Sequence, residues 1–222
     1  MKDVTLVIPA KFESESLPKV IGELQKFSVK KIIVIPKNDH LTLDSIKKYK
    51  CKILFQKKGG FGSALSQGIL SVKTKYFCIF NADGAFDPRY LKKMRAKLNK
   101  SNQFVFNTRY VKNAGSDDDT ITTYIGNQIF TFICNILFRL NISDVLFTYV
   151  MGSTKAFKSL KVKSRGFSFC VELPIKAKFM KYKMTTLPSY ERSRIAGKKK
   201  VKEFRDGFLI LIYIIRLFLF KK

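Results

Sequence analysis

Apolar residues along this chain come in two rhythms. Short β-rich runs occupy Val4 to Ile8, Lys31 to Ile35, Lys52 to Phe55, Tyr76 to Phe80 and Gln103 to Phe106. Between the first four lie helix-compatible stretches, roughly Ser16 to Phe27, Leu41 to Tyr49 and Gly62 to Val72. Strand and helix alternate, which predicts βαβ units and an α/β fold with a mainly parallel sheet flanked by helices. Ligands of such sheets sit beyond the carboxyl ends of the strands, so the loops after Ile8, Ile35 and Phe80 are the places for chemistry.

The second half follows a different pattern. VKNAGSDDDT, Val111 to Thr120, is a polar loop whose three aspartates are expected to be solvated helix-capping residues. The predicted helix Ile121 to Leu140 carries Thr123, Asn127, Thr131, Asn135 and Arg139 every fourth residue. That leaves a narrow polar stripe on an otherwise apolar cylinder, which is either buried or leaning on lipid. The tail is apolar from Phe208 to Phe220, broken only by Arg216, and as a helix it extends about 20 Å. A bilayer core of about 30 Å is not spanned by that. It either lies in a membrane interface, with Lys221 and Lys222 reaching the head groups, or packs as a plain C-terminal helix. The pattern divides the chain into a domain over residues 1–203 and a C-terminal apolar, membrane-associated helix over residues 204–222.

Charge and length narrow the function classes. With 222 residues and 46% hydrophobic composition the chain can bury a core, and its 43 Lys and Arg against 16 Asp and Glu give a net charge of +27. Anionic partners are favoured, or the excess reflects lysine-biased composition. The segment ERSRIAGKKKVKEFR, just before the tail, tilts the tail toward an anionic membrane surface. Nucleic acid fits poorly, because the aromatics are mostly Phe within apolar runs and do not alternate with Arg. Cys51, Cys78, Cys134 and Cys170 have no CxxC spacing, and His40 is the single histidine, so no zinc-ligating pattern exists. MKDVTLVIPA passes straight into a strand, and a cytoplasmic protein, peripheral at the inner face of the membrane, is expected.

The stretch FNADGAFDP, Phe80 to Pro88, places carboxylates in this basic chain right after an apolar strand. Asp87 before Pro88 suits a helix start through Leu98. Asn81 and Asp83 have no such structural explanation. Two such residues separated by one point to the same side of an extended chain, where a hard cation such as Mg²⁺ takes one or two carboxylates plus ligand phosphate oxygens. GGFGSALSQGI, with Gly59, Gly60 and Gly62, permits close backbone approach but lacks both the P-loop ending and the full GxGxxG spacing. A nucleotidyltransferase would carry its glycines after the first strand, where this chain has AKFESES.

Seven segments in order resemble the family 2 glycosyltransferases: VIPAKFESESLP, GGFGSALSQGI, FNADGAFDP, FNTRYV, ISDVLFTYVMGSTKAF, GFSFCVELPIKA and YERSRIAGKKKV. They are most similar to the dolichol-phosphate mannose synthase and bacterial polyprenyl-phosphate branch. The resemblance implies a GT-A fold, a nucleotide-diphosphate sugar donor, a divalent cation (Mg²⁺ or Mn²⁺) and inverting transfer to a polyprenyl phosphate or other lipid-linked acceptor. A sugar hydroxyl in cell-surface polysaccharide or lipopolysaccharide synthesis is the alternative acceptor, and a non-catalytic scaffold the third reading. It assigns Pro9, Ala10, Glu13, Asp39 and Gly62 to the donor, and Asn81 and Asp83 to donor and metal. Asp83 and Asp144 become the catalytic carboxylates, Asp144 as the base for a hydroxyl acceptor. Arg109, Glu172, Arg194 and Lys200 become acceptor and phosphate ligands. Read as residues alone, Glu13, Asp144 and Glu172 also fit caps or turns, and Arg109, Arg194 and Lys200 a solvated basic surface. Two positions depart from the family pattern: IPKND replaces paired aspartates after the second strand, leaving Asp39 as a shifted substitute, and Asn81 stands for the first acid of the metal pair.

Overall fold

The computed structural model describes residues 1–220. In chain order the elements are β1 (Val4–Pro9), α1 (Leu17–Glu23), β2 (Lys30–Ile35), α2 (His40–Ser45), β3 (Lys52–Phe55), α3 (Phe61–Leu70), β4 (Tyr76–Ile79), α4 (Tyr90–Lys97), β5 (Phe104–Thr108), β6 (Gly115–Ser116), α5 (Ile121–Phe138), β7 (Val150–Ser153), α6 (Thr154–Leu160), α7 (Phe169–Phe179), β8 (Met184–Pro188), β9 (Tyr190–Glu191) and α8 (Glu203–Leu219). Seven strands form one sheet in the order β3-β2-β1-β4-β7-β5-β8, and β6 pairs with β9 in a small second sheet. β7 runs antiparallel to both β4 and β5, and the other pairs of the large sheet are parallel. The alternating pattern thus gives the expected α/β class.

The chain leaves β1 toward β2 and β3 on one side, then returns to place β4 on the other. That reversal opens a crevice at the carboxyl ends of β1 and β4, where ligands of open α/β sheets bind. Both faces of the sheet are covered, as a parallel sheet requires. One core cluster, with Leu6, Ile8, Ile33 and Cys78, lies under α1 and α4. The other, with Val7, Val34, Phe77 and Phe104, lies under α3 and α5 to α8.

Two expectations need correction. Asp87 does not cap α4: its carboxylate accepts from the Arg89 backbone N–H at 2.8 Å, and the helix starts at Tyr90. The tail is not a separate appendage, because Ile214 is fully buried and Ile210 nearly so, both within the same core cluster as β4 and β5. The expectation for Lys221 and Lys222 lies outside the described residues.

The four-residue polar stripe of α5 faces inward: Asn127 Nδ2 donates to Tyr110 Oη at 2.6 Å, Thr131 Oγ1 accepts from Val145 N–H at 3.1 Å, and Asn135 exchanges two hydrogen bonds with the Ile142 backbone. Its apolar residues Ile125, Ile129, Phe132 and Ile136 face outward and are exposed. By length and composition α5 is the one described helix apolar enough to cross a membrane, yet these bonds fasten it to the fold. α8 packs beside it and leaves Phe204, Phe208, Ile212, Ile215 and Leu219 bare.

Candidate active site

A cavity of about 730 Å³ fills the crevice beyond β1 and β4. Pro9, Ala10 and Glu13 line it from the loop after β1, Asn81 and Asp83 from the turn after β4, and Arg194 and Lys200 from the loop before α8. Gly84, at φ 88°, lets the chain reverse directly after Asp83. The basic loop is tied to this turn by backbone, Arg192 N–H donating to Ala85 O at 2.9 Å and Ile195 N–H to Asp83 O at 2.7 Å. The Arg192 guanidinium adds bonds to Gly84 O and Phe86 O. Residues more than a hundred positions apart are thereby held as one wall.

Asp83 accepts one bond, from Ala85 N–H at 3.0 Å, and its other oxygen stands 4.0 Å from Arg194. Burial pushes its carboxyl above the ordinary aspartate value, and the nearby charges of Glu13 and Asp118 push the same way. This excess of negative charge is what a bound cation relieves. Among the described residues no three His, Cys, Asp or Glu side chains cluster as a metal site of their own. The donor set Asn81 and Asp83 therefore suits a hard cation that completes its shell with phosphate oxygens or water.

Three cations of the basic loop that face the cavity are answered by carboxylates. Arg194 forks onto Asp118 at 2.7 and 3.0 Å, Lys199 lies 3.8 Å from the same Asp118, and Lys200 pairs with Glu13. Asp118 and Asp119 thus belong to the cavity wall, which corrects the reading of that loop as solvated caps. The helix cap there is Thr120, whose hydroxyl accepts from Thr123 N–H at 3.2 Å.

Four predicted residues sit elsewhere than the cavity lining. Asp39 is buried, accepting from Phe12 N–H at 2.6 Å and Thr42 N–H at 3.2 Å, so it clamps the loop after β1 to the start of α2. Its neighbour Asn38 faces the cavity. Gly62 packs against the 164–166 segment, where an added Cβ would stand 2.7 Å from Gly166 O, and Gly59 and Gly60 reach the cavity. Glu172 is fully buried. Burial pushes its carboxyl up, but the Lys176 ammonium at 2.7 Å and the N–H groups of Lys163 and Ser164 outweigh that and hold it below the usual range.

Asp144 is sealed. Arg109 forks onto it at 2.7 and 3.0 Å and adds its backbone N–H at 3.2 Å. Burial raises the Asp144 carboxyl and the guanidinium opposes this. Arg109 also donates to Glu191 at 2.9 Å and stacks 4.5 Å above the Phe147 ring. With one face turned to the cavity it is a fixed cation surrounded by acids. Asp118, Asp119, Glu191, Asn38 and Gln56 are lining residues that sequence reasoning missed; the DDD run was the one visible signal.

The chain belongs to glycosyl transferase family 2, whose pattern matches residues 5–161, and it is a glycosyltransferase. An uncharacterized glycosyltransferase of Mycobacterium tuberculosis (strain ATCC 25618 / H37Rv) is 25% identical over 209 residues, covering 94% of both chains. Among solved structures, glucosyl-3-phosphoglycerate synthase from Mycobacterium tuberculosis with UDP matches at TM-score 0.77 and 12% identity, over 98% of this chain and 80% of that one. The same enzyme with Mn²⁺, UDP-glucose and phosphoglyceric acid matches at 0.78 and 12% identity, with the same coverage. Mannosyl-3-phosphoglycerate synthase from Rubrobacter xylanophilus matches at 0.70 and 13%, over 97% of this chain and 74% of that one. These likenesses establish the GT-A fold. These solved neighbours are glucosyl- and mannosyl-3-phosphoglycerate synthases and not members of the expected polyprenyl-phosphate branch.

Proposed function

We propose that the protein transfers a sugar, with inversion, from a nucleotide-diphosphate sugar to an acceptor that bears a phosphate group. The observation that carries this reading is that Asn81 and Asp83 face the same cavity as Arg194 and Lys200. A divalent cation, Mg²⁺ or Mn²⁺, held by Asn81 and Asp83 would supply charge neutralisation for the departing nucleotide diphosphate. Arg194 and Lys200, released from Asp118 and Glu13, would hold phosphate oxygens. Asn81 lacks the charge of a carboxylate, so metal affinity is lower than an aspartate pair would give. The solved neighbours whose descriptions include Mn²⁺, UDP-glucose and phosphoglyceric acid support the donor and cation half of this reading.

Two acceptor chemistries are consistent with a phosphate. In the first, a hydroxyl of a small phosphorylated compound attacks, as the neighbours' phosphoglyceric acid suggests. Asp144 is then not the base, because it is sealed beneath Arg109; Asp118 and Asp119, which line the cavity, are the available carboxylates. In the second, an ionised polyprenyl phosphate oxygen attacks and needs no base. Support for it comes from the cavity mouth: Thr123 and Asn127 of α5 and Asp206 and Ile210 of α8 line the cavity, and both helices carry bare apolar residues on their outer side. A lipid's phosphate would enter there while its chain stays in a cytoplasmic membrane face, with the protein peripheral to it.

The test is transfer of radiolabelled sugar from a panel of nucleotide sugars, with Mn²⁺, to phosphoglyceric acid and to polyprenyl phosphate in vesicles. Label in either product establishes transferase activity and chooses the acceptor. Neither product, and no metal-dependent binding of any nucleotide diphosphate, would overturn the proposed donor, cation and acceptor.

A further inference from the structure

A second cavity, of about 670 Å³, lies on the other side of the wall formed by the β3–α3 loop and the α6–α7 loop. Lys57 and Lys58 reach it from the first loop and Lys163 and Arg165 from the second, and none of its lining residues is acidic. Among the described residues none of these four cations makes an ion pair or a side-chain hydrogen bond. In the active-site cavity Arg194, Lys199 and Lys200 are paired with carboxylates, while Lys198 and Lys202 make no ion pair among the described residues. All four are exposed side chains, and gathered around one hollow they repel one another, an arrangement that a bound anion stabilises.

Two hydroxyls add an independent mark. Ser66 Oγ and Ser164 Oγ are buried with no hydrogen-bond partner, and Ser164 as a residue is 8% exposed. Both residues line this cavity. Buried hydroxyls in proteins are nearly always satisfied, so an orphaned pair beside four free cations indicates a missing acceptor. An oxyanion with several oxygens supplies acceptors to both hydroxyls and charge to all four cations. Leu54 and Val162 give the hollow an apolar floor, room for more than a bare ion.

We propose that this cleft is a second anion site, taking a phosphate-bearing ligand behind the donor cavity. The wall between the two is one connected strip. Ser63 N–H donates to Arg165 O at 3.0 Å, and Gln56 Nε2 donates to Gly60 O at 2.8 Å. Gly60 has no room for a side chain, since a Cβ there would lie 2.3 Å from Arg165 O. Gln56, Gly60 and Gly166 face the active-site cavity, so an anion drawing Lys58 and Arg165 together bears on the donor side through backbone. Binding at the cleft does not depend on the proposed reaction. The same phosphate chemistry occurs in soluble phosphorylated metabolites and in anionic lipid head groups.

The experiment is a titration of the ¹⁵N-labelled full chain with inorganic pyrophosphate, alongside co-sedimentation with phosphatidylglycerol vesicles. Amide shifts are expected at Ser63 to Gln67 and Lys163 to Arg165, separate from any set at Asp83 to Ala85. Lys58→Glu with Arg165→Glu should weaken the first set at least tenfold and leave the second in place, which also reports that the variant is folded. Ser66→Ala with Ser164→Ala should weaken it severalfold without altering charge. If pyrophosphate moves the first set and vesicle binding is the same in parent and variant, the ligand is soluble. If the charge variant loses vesicle binding and pyrophosphate moves nothing there, the ligand is a head group. No shift at the cleft together with unchanged vesicle binding would overturn the site.

Discussion

α3 and α5 pack on the same side of the sheet and obey opposite rules. α3 buries Ala64, Leu65 and Ile69 and turns Gln67 outward, as a helix in water should. α5 buries Asn127 and Thr131, shows Ile125, Ile129, Phe132 and Ile136 to the outside, and contains no charged residue. The difference teaches that the molecule has two kinds of surface. One is polar; the other, continued by α8, presents exposed apolar side chains.

The most damaging way to disturb this contrast is to remove α8. Ile210 and Ile214 each bury a side chain in the common core, a loss of about 3–6 kcal/mol in all. Against a typical domain stability of roughly 5–15 kcal/mol, a chain ending after Gly207 should melt far lower or lose its cooperative transition, read by thermal denaturation. A truncated chain as stable as the parent would show that α8 is an appendage after all.

Smaller but more pointed is Asn135→Ala. It strands the Ile142 N–H and C=O against the inward side of α5 and should cost about 1–3 kcal/mol in urea denaturation. Phe132→Ser with Phe208→Ser on the outward side should change stability by no more than roughly 0.5 kcal/mol each. On anionic vesicles the same pair should weaken binding about tenfold or more per phenylalanine, because each loses about 1.5 kcal/mol of apolar burial. Equal stability losses on both sides, with vesicle binding unchanged, would dissolve the comparison.

The smallest effect is one of pH. Asp83 holds its proton above the ordinary aspartate value of 3.8, and a proton competes with a cation for that carboxylate. Acidification should therefore weaken metal-dependent nucleotide binding at a pH higher than an exposed aspartate would set, read by thermal shift across pH. Asn81→Asp should tighten metal binding at neutral pH.

Much of this was legible in the sequence, and what was not shares one cause. Period-two and helical patterns gave β1 to β5 and the helices between them, because burial on local faces writes itself into neighbouring positions. β7 was missed: four residues, inserted antiparallel between β4 and β5, are specified by distant partners. The polar stripe of α5 was visible, but a stripe does not say which side faces water. Asn81, Asp83, Arg194 and Lys200, remote in sequence, all line the one cavity. Asp39, Asp144 and Glu172 have the right residue type, yet partners 3 to 35 positions away along the chain saturate their oxygens, and no local pattern reveals that. Asp118 and Asp119 were seen as a run and assigned to a cap because Arg194 and Arg109, their partners, lie remote in sequence.

The central claim is that Asn81 and Asp83, at the crevice between β1 and β4, hold the cation that binds the donor's diphosphate. Isothermal titration of UDP and GDP into the parent and into Asp83→Ala, each with and without saturating Mn²⁺, tests it most directly. The account predicts that Mn²⁺ strengthens binding of at least one nucleotide to the parent by tenfold or more, about 1.4 kcal/mol, and that Asp83→Ala abolishes this gain while keeping the parent's thermal transition. Equal Mn²⁺-dependent affinity in parent and variant would contradict it.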